Sequence, residues 1–277
     1  MILVTGATGN IGSALLKELH ARGIEPLRGL TRDLERAVFP EGVEAVEGDF
    51  SEPASVKSAL EGVRSLFLVS RLGSDADILE AARQAGVEHV VLVSSITVET
   101  HPHLGPAAEN LAVEELLQAS GMAWTILRPT QFASNALMWA ASVRDHETVQ
   151  APYAQTALPT IHPGDIASVA RVALTEPGHR GHTYALTGPE PVSARQQVEA
   201  IGAALGRAVP FAEISRGEAH AGMAAIFGDE AADAVLDVIG GDVNSELLMV
   251  RDTVPRITGS SARPFSQWAA ENADAFR

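Results

Sequence analysis

The chain has 277 residues, 46% of them hydrophobic and 20% charged, so one large domain or two small ones have ample apolar material for a core. Its 35 acidic against 20 basic residues leave a formal charge of −15, which repels phosphate backbones; with no Lys/Arg cluster to offset it, nucleic acid is not an expected partner. There is no cysteine, which excludes disulfides, thiolate metal sites and cysteine nucleophiles, and no apolar run nears the roughly 18–20 residues a membrane span needs.

Ile2, Leu3 and Val4 form an apolar run without alternation, as in a strand buried on both faces. A strand beginning at residue 2 leaves no room for a signal peptide, and a cytoplasmic protein is expected. The run meets glycines at 6, 9 and 12, and Ile11, Leu15, Leu16 and Leu19 then recur at helical spacing. Strand, glycine turn and helix are the setting a dinucleotide fingerprint requires, although the spacing is G-x-x-G-x-x-G rather than G-x-G-x-x-G. Gly6 permits the tight turn, Gly9 the close approach of a pyrophosphate, and Gly12 the close packing of helix on strand. The candidate cradle is Gly6, Thr8, Gly9, Asn10, Ile11 and Gly12, with the free N–H groups and positive end of the helix toward the phosphates.

After a helix over about 10–22, Pro26 to Thr31 reads as the second strand. In such sheets an Asp or Glu at this strand's end binds a ribose 2′-hydroxyl, whereas an Arg accommodates a 2′-phosphate. Here Thr31 is followed by Arg32 and then Asp33. The guanidinium fork matches a phosphate, so NADPH is expected over NADH. The competing readings are Asp33 as ribose acceptor, or Arg32 paired with Asp33 or Glu35. Val43 to Glu47 reads as the third strand. Gly48-Asp49-Phe50 after it suits an adenine edge, with Asp49 accepting from the amino group and Phe50 packing nearby; the alternative is a cap for a helix near 53–61.

Leu66 to Ser70 is the fourth strand, a helix follows at 75–85, and His89 to Ser94 is the fifth. A helix at 107–120 leads to Trp124 to Leu127, the sixth strand, closed by Arg128-Pro129. Six strands alternating with five helices in about 130 residues predict an α/β, doubly wound parallel sheet, a Rossmann fold. Ligands sit at the carboxyl ends of such strands, where Val69, Ser70, Ser94, Ser95 and Pro129 stand.

Beyond this point proline and glycine punctuate the chain. Helices are expected near 132–144, 165–175 and 193–205, with a strand at 182–186. The span 216–249 reads as helical and amphipathic, a lid or a subunit contact if it is not core, and a last helix covers Phe265 to Phe276. Residues 1–130 are expected to form the NAD(P)-binding domain, and 131–277 a smaller substrate-binding or lid region that partly returns to the Rossmann core. Phe132 joins the cofactor residues, and with Met138 and Trp139 would line an acceptor pocket.

Several blocks together resemble one family. Thr5-Gly6-Ala7-Thr8-Gly9-Asn10-Ile11-Gly12, the Leu30-Thr31-Arg32 strand end, Gly48-Asp49, and Ser120 through Pro129 with Phe132 and Asn135 behind it look like the NmrA-like group of atypical short-chain dehydrogenases. Asp165-Ile166-Ala167 and Phe265-Ser266-Gln267-Trp268-Ala269 extend the likeness over nearly the whole chain. That group includes NAD(P)H-dependent quinone reductases, other small-molecule reductases and nucleotide-sensing regulators. Ordinary short-chain dehydrogenases place Tyr-x-x-x-Lys at the start of the fifth helix; the resemblance puts those positions near Pro106 and Asn110, and neither can do acid–base work. The serine that joins the pair corresponds to Ser95.

The resemblance therefore implies hydride transfer from NADPH to a small acceptor that tolerates a weak proton donor: aromatic, quinone-like or an enone. The cofactor carries the hard step. Reduction of a plain ketone would need a replacement donor, for which Tyr153, His101, His103 and His162 are the candidates. His101-x-His103 has no carboxylate or thiolate at ligand spacing, so no metal is expected. Two other functions stay open on the same fold: a regulator that senses the nucleotide without catalysis, and a biosynthetic enzyme performing a non-redox cyclisation or dehydration. The expected partner is a small-molecule substrate, the expected state a monomer or homodimer.

Overall fold

A computed structural model describes residues 1–49, 52–70 and 74–277, so Phe50, expected beside the adenine, lies outside the described residues. The strands are β1 (Ile2–Val4), β2 (Leu27–Thr31), β3 (Glu44–Glu47), β4 (Ser65–Val69), β5 (His89–Val93), β6 (Ala123–Pro129), β7 (Val149–Ala151), β8 (Ala157–Leu158), β9 (His182–Leu186), β10 (Val192–Ser193) and β11 (Phe211–Glu213). Seven of them form one parallel sheet in the order β3-β2-β1-β4-β5-β6-β9. The order reverses between β1 and β4, and a dinucleotide crosses such a sheet at that reversal.

Helices cover both faces, which is why the central strands carry apolar residues on both sides. Leu3, Leu66, Leu68, Val90, Leu92 and Ile126 point into one layer. Their neighbours Val4, Phe67, Val91, Val93 and Leu127 point into the other, against Leu15 and Leu16 of the helix Asn10–Ala21 and Ile166 and Ala170 of the helix Pro163–Thr175. These two helices are also tied by Glu18, which accepts from Ser168 Oγ at 2.8 Å and from Arg171 Nε at 3.0 Å.

The later part of the chain thus enters the main sheet. β9 pairs with β6 in the register Leu127–Tyr184, and its preceding helix completes one flanking layer. Two expected helices are divided. Over 132–144, a 3₁₀ segment Ala133–Trp139 precedes the helix Ala140–Arg144, because Phe132 is held extended beside Ile161 and Ala133 N–H donates to the Ile161 carbonyl at 2.8 Å. Over 216–249, the helix Arg216–Phe227 stops at Gly228 (φ +84), a left-handed conformation that favours glycine. Asp229–Leu236, a wider turn Asp237–Gly241 and Ser245–Leu248 follow.

One strand residue sets a pH dependence. His89 is 1% exposed and its Nε2 lies 3.0 Å from Thr125 Oγ1, whose own hydrogen goes to the His179 carbonyl at 2.8 Å, so His89 is the donor. Burial, then the charges of Arg180 and His179, push its pKa from 6.5 down to about 4. A proton therefore prefers the unfolded chain. The neutral ring's contribution is complete above pH 6.5 and is lost as pH falls toward 4, about 3 kcal/mol in all. Urea titrations at several pH values should show this slope in the native protein and a flatter one in His89→Gln; equal slopes would remove His89 as the cause.

Candidate active site

The cradle begins at Gly6, where φ is +57, and closes as Gly9 N–H donates to the Gly6 carbonyl at 2.8 Å. A Cβ on Gly12 would collide with that same carbonyl, so the helix approaches the turn only because residue 12 has no side chain. Gly9 caps the helix with no side-chain hydrogen bond, which leaves its first N–H groups to an outside acceptor. Thr8, Gly9 and Asn10 are exposed at the apex, and Ile11 is buried beneath them. Thr5 Oγ1 accepts from Val69 N–H at 3.1 Å, which ties β1 to β4 across the sheet's reversal.

At the end of β2, Arg32 is exposed and makes no ion pair or hydrogen bond among the described residues. Asp33 is turned inward on its own loop: Oδ1 accepts from Glu35 N–H at 3.0 Å and Arg36 N–H at 3.1 Å. The guanidinium is therefore not paired with Asp33 or Glu35. Gly48 N–H donates to the Thr31 carbonyl at 2.9 Å and brings Asp49 beside this strand end. The helix Pro53–Val56 follows Glu52, which makes no side-chain cap hydrogen bond.

The ends of β4, β5 and β6 are built differently from their sequence. Ser70 Oγ lies 2.9 Å from the Val93 carbonyl and 2.8 Å from Asn110 Oδ1, while Asn110 Nδ2 donates to the Pro106 carbonyl at 2.8 Å. Asn110, at the position that resembles the Lys site, thus fastens the helix Gly105–Ala119 to the end of β4, while Pro106, at the Tyr position, bonds only within that helix among the described residues. Ser94 donates to Glu114 at 2.5 Å. Glu114, 1% exposed, also accepts from Arg128 Nε at 3.0 Å and Nη2 at 2.6 Å. Neither serine offers its hydroxyl hydrogen to a ligand. Ser95 Oγ accepts from Thr97 N–H at 3.2 Å, just ahead of the short helix Thr97–Thr100, and the Pro129 carbonyl accepts from Ile96 N–H at 3.0 Å. Glu114 was not among the expected site residues; its type and helical position carry no sign of the partners it finds on β5 and β6.

The candidate proton donors do not converge. His101 is fully buried, with Nδ1 2.8 Å from Thr100 Oγ1 and Nε2 2.6 Å from the Asp242 carbonyl, so both ring nitrogens are occupied. Tyr153 holds φ +53 and lays its ring on Gly240, where a Cβ would collide with it. His103 is exposed, 3.8 Å from Asp242. His162 caps the helix Pro163–Thr175 by accepting from Gly164 N–H at 2.9 Å and contacts Glu271 at 3.1 Å; burial lowers its pKa against the opposing pull of Glu271 and Asp165. It lines a cleft with Asn10, Ser13 and Lys17, beside the start of the helix Asn10–Ala21. Phe132 is half-buried beside Ile161, Met138 is 63% exposed, and Trp139 packs in an apolar cluster with Val198 and Phe265. Among the described residues no group of three His, Asp or Glu could hold a metal ion, and no helix is long and apolar enough to cross a membrane. A narrow glycine turn, uncapped helix N–H groups and an unpaired guanidinium fit a phosphorylated dinucleotide.

Residues 6–177 match the model of a family described as NAD(P)H-binding. The chain is 37% identical over 286 residues to the (4-alkanoyl-5-oxo-2,5-dihydrofuran-3-yl)methyl phosphate reductase of Streptomyces griseus, covering 100% of this chain and 99% of that protein. It is 36% identical over 290 residues to the NAD(P)H azoreductase of Xenophilus azovorans, again covering 100% and 99%. The solved structure of an NADPH-dependent quinone oxidoreductase from Escherichia coli, complexed with NADPH, superposes with a TM-score of 0.79 at 25% identity, covering 98% of this chain and 99% of that one.

Proposed function

The chain belongs to the NAD(P)H-binding family, within the NmrA-like atypical short-chain dehydrogenases, as an NAD(P)H-dependent reductase lacking the Tyr-x-x-x-Lys pair, and on that premise we propose that it uses NADPH in preference to NADH and reduces a small quinone-like, aromatic or enone acceptor. The observation that carries the acceptor class is the pair Pro106 and Asn110. Neither position carries an acid, and the polar atoms there bond to each other and to Ser70. An acceptor reduced here must be electrophilic enough to take a hydride before a proton is delivered. By their names, the relatives reduce an alkanoyl dihydrofuranone phosphate and azo compounds, which are also conjugated acceptors.

In this reading Gly6 through Gly12 and the helix start hold the pyrophosphate, Arg32 the 2′-phosphate and Asp49 the adenine. Bound nicotinamide supplies the hydride. Val69, Ser70, Ser94 and Pro129 offer backbone at the strand ends to orient the ring, and Phe132 shields it from water. Residues 1–130 serve the dinucleotide and 131–277 the acceptor. Ser95 orients the loop after β5, and solvent protonates the product.

The test is NADPH oxidation by the purified protein with a panel of quinones, enones and azo compounds. Turnover of quinones or enones is expected, with kcat flat between about pH 6 and 8, because no side chain donates the proton. Tight NADPH binding with no oxidation by any acceptor would favour a nucleotide-sensing regulator instead.

A further inference from the structure

His101 and Tyr153 are built with more care than loop residues need. A histidine with no exposed surface and both nitrogens bonded is a fixed joint, and a tyrosine at φ +53 holds a conformation that costs on the order of 1 kcal/mol outside glycine. Both grip the same stretch of chain. His101 Nε2 meets the Asp242 carbonyl at 2.6 Å, and the Tyr153 ring lies on Gly240. The neighbouring contacts reinforce the grip: Asn244 Nδ2 donates to the Thr100 carbonyl at 2.8 Å, and buried Leu247 packs with Ile96 and Leu158. At its other end the arm sets Glu230 against Gly105, where a Cβ would collide with the carboxylate.

These contacts have a common location. Ile96, Thr100 and His101 follow β5, and Gly105 opens the helix that carries Pro106 and Asn110. The arm 216–249 therefore covers the place where ordinary short-chain dehydrogenases present their proton donors, the acceptor side of the sheet edge. We propose that His101 and Tyr153 are positioning residues that pin Gly240–Asn244 over this edge and so set the size of acceptor the site admits. The inference rests on the reductase reading above. His101 donates to a main-chain carbonyl, so it fixes the arm's backbone rather than one side chain. Released from it, the segment withdraws and larger ring systems enter.

The test compares the native enzyme with His101→Ala, Tyr153→Ala and His101→Gln, whose amide can donate to the same carbonyl. Steady-state kcat/KM is measured with a one-ring and a three-ring quinone at saturating NADPH. Both alanine variants should raise the three-ring to one-ring ratio about tenfold, with KM for NADPH within about twofold of native, and His101→Gln should restore the native ratio. A merely structural role would lower both acceptors together and leave the ratio unmoved. An unchanged ratio in the variants that retain a native thermal transition, or no rescue by His101→Gln, overturns the inference while the reductase reading stands. Failure of the native enzyme to reduce either quinone overturns the inference, and failure with every quinone, enone and azo compound of the panel overturns the reductase reading as well.

Discussion

Arg32→Ala should raise KM for NADPH about 10- to 100-fold and leave KM for NADH within about twofold. A charge-assisted hydrogen-bonded contact contributes about 1.5–3 kcal/mol, which corresponds to that range. Two features of the β2 end make the expectation sharp. The guanidinium has no ion pair or hydrogen bond among the described residues, so removing it leaves no carboxylate stranded and should not disturb folding. The nearest competitor for the ribose, Asp33, directs its carboxylate at the N–H groups of Glu35 and Arg36. Asp33→Asn, which keeps an acceptor oxygen for those amides, should therefore change neither cofactor much. Calorimetric titration of both nucleotides into the native protein and the two variants decides the matter. Equal losses for NADPH and NADH in Arg32→Ala, or a larger change in Asp33→Asn, would place the ribose recognition elsewhere.

The parts of this site that were legible from sequence are those fixed by local chemistry. A glycine that must be a glycine announces itself within one turn: Gly12 faces the Gly6 carbonyl six residues away. A strand end followed by Arg32 is likewise a local statement. The parts that were not legible are the occupied hydroxyls and rings. Ser70 and Ser94 stand at the expected strand ends, yet their hydrogens go to acceptors supplied from elsewhere in the fold. His101 has the right type and loop for a proton donor, but the Asp242 carbonyl that occupies it lies 141 residues further on. Residue type records what a side chain can donate, whereas tertiary packing decides who receives it. The same limit explains the 3₁₀ segment at Ala133–Trp139, where an extended Phe132 bridged to Ile161 outweighs helical spacing.

Glu114→Ala should be among the most destabilising substitutions in the chain, by about 3–5 kcal/mol, because it removes one partner of a buried ion pair and leaves the other charge uncompensated. Glu114 stands on the helix Gly105–Ala119 and joins two strand ends at once, accepting from Ser94 on the β5 side and from Arg128 on β6. Arg128 retains only a 3.8 Å approach to Glu99, whose carboxylate also faces Arg251 at 3.6 Å. Replacing both partners should cost less than the sum of the single changes, since Glu114→Ala with Arg128→Met leaves no buried charge unpaired. Urea titration of the two single variants and the double variant measures this coupling directly. Nucleotide affinity supplies a second readout at temperatures where the variants remain folded. Ser94 follows β5 and Arg128 lies near the end of β6, so losing the joint should loosen the edge and weaken NADPH binding, whereas Glu114→Gln, which keeps an oxygen for Ser94, should fall between native and alanine. A loss below about 1 kcal/mol in Glu114→Ala would mean that water reaches Arg128 freely, and the two strand ends would then have to be held by β5–β6 pairing alone.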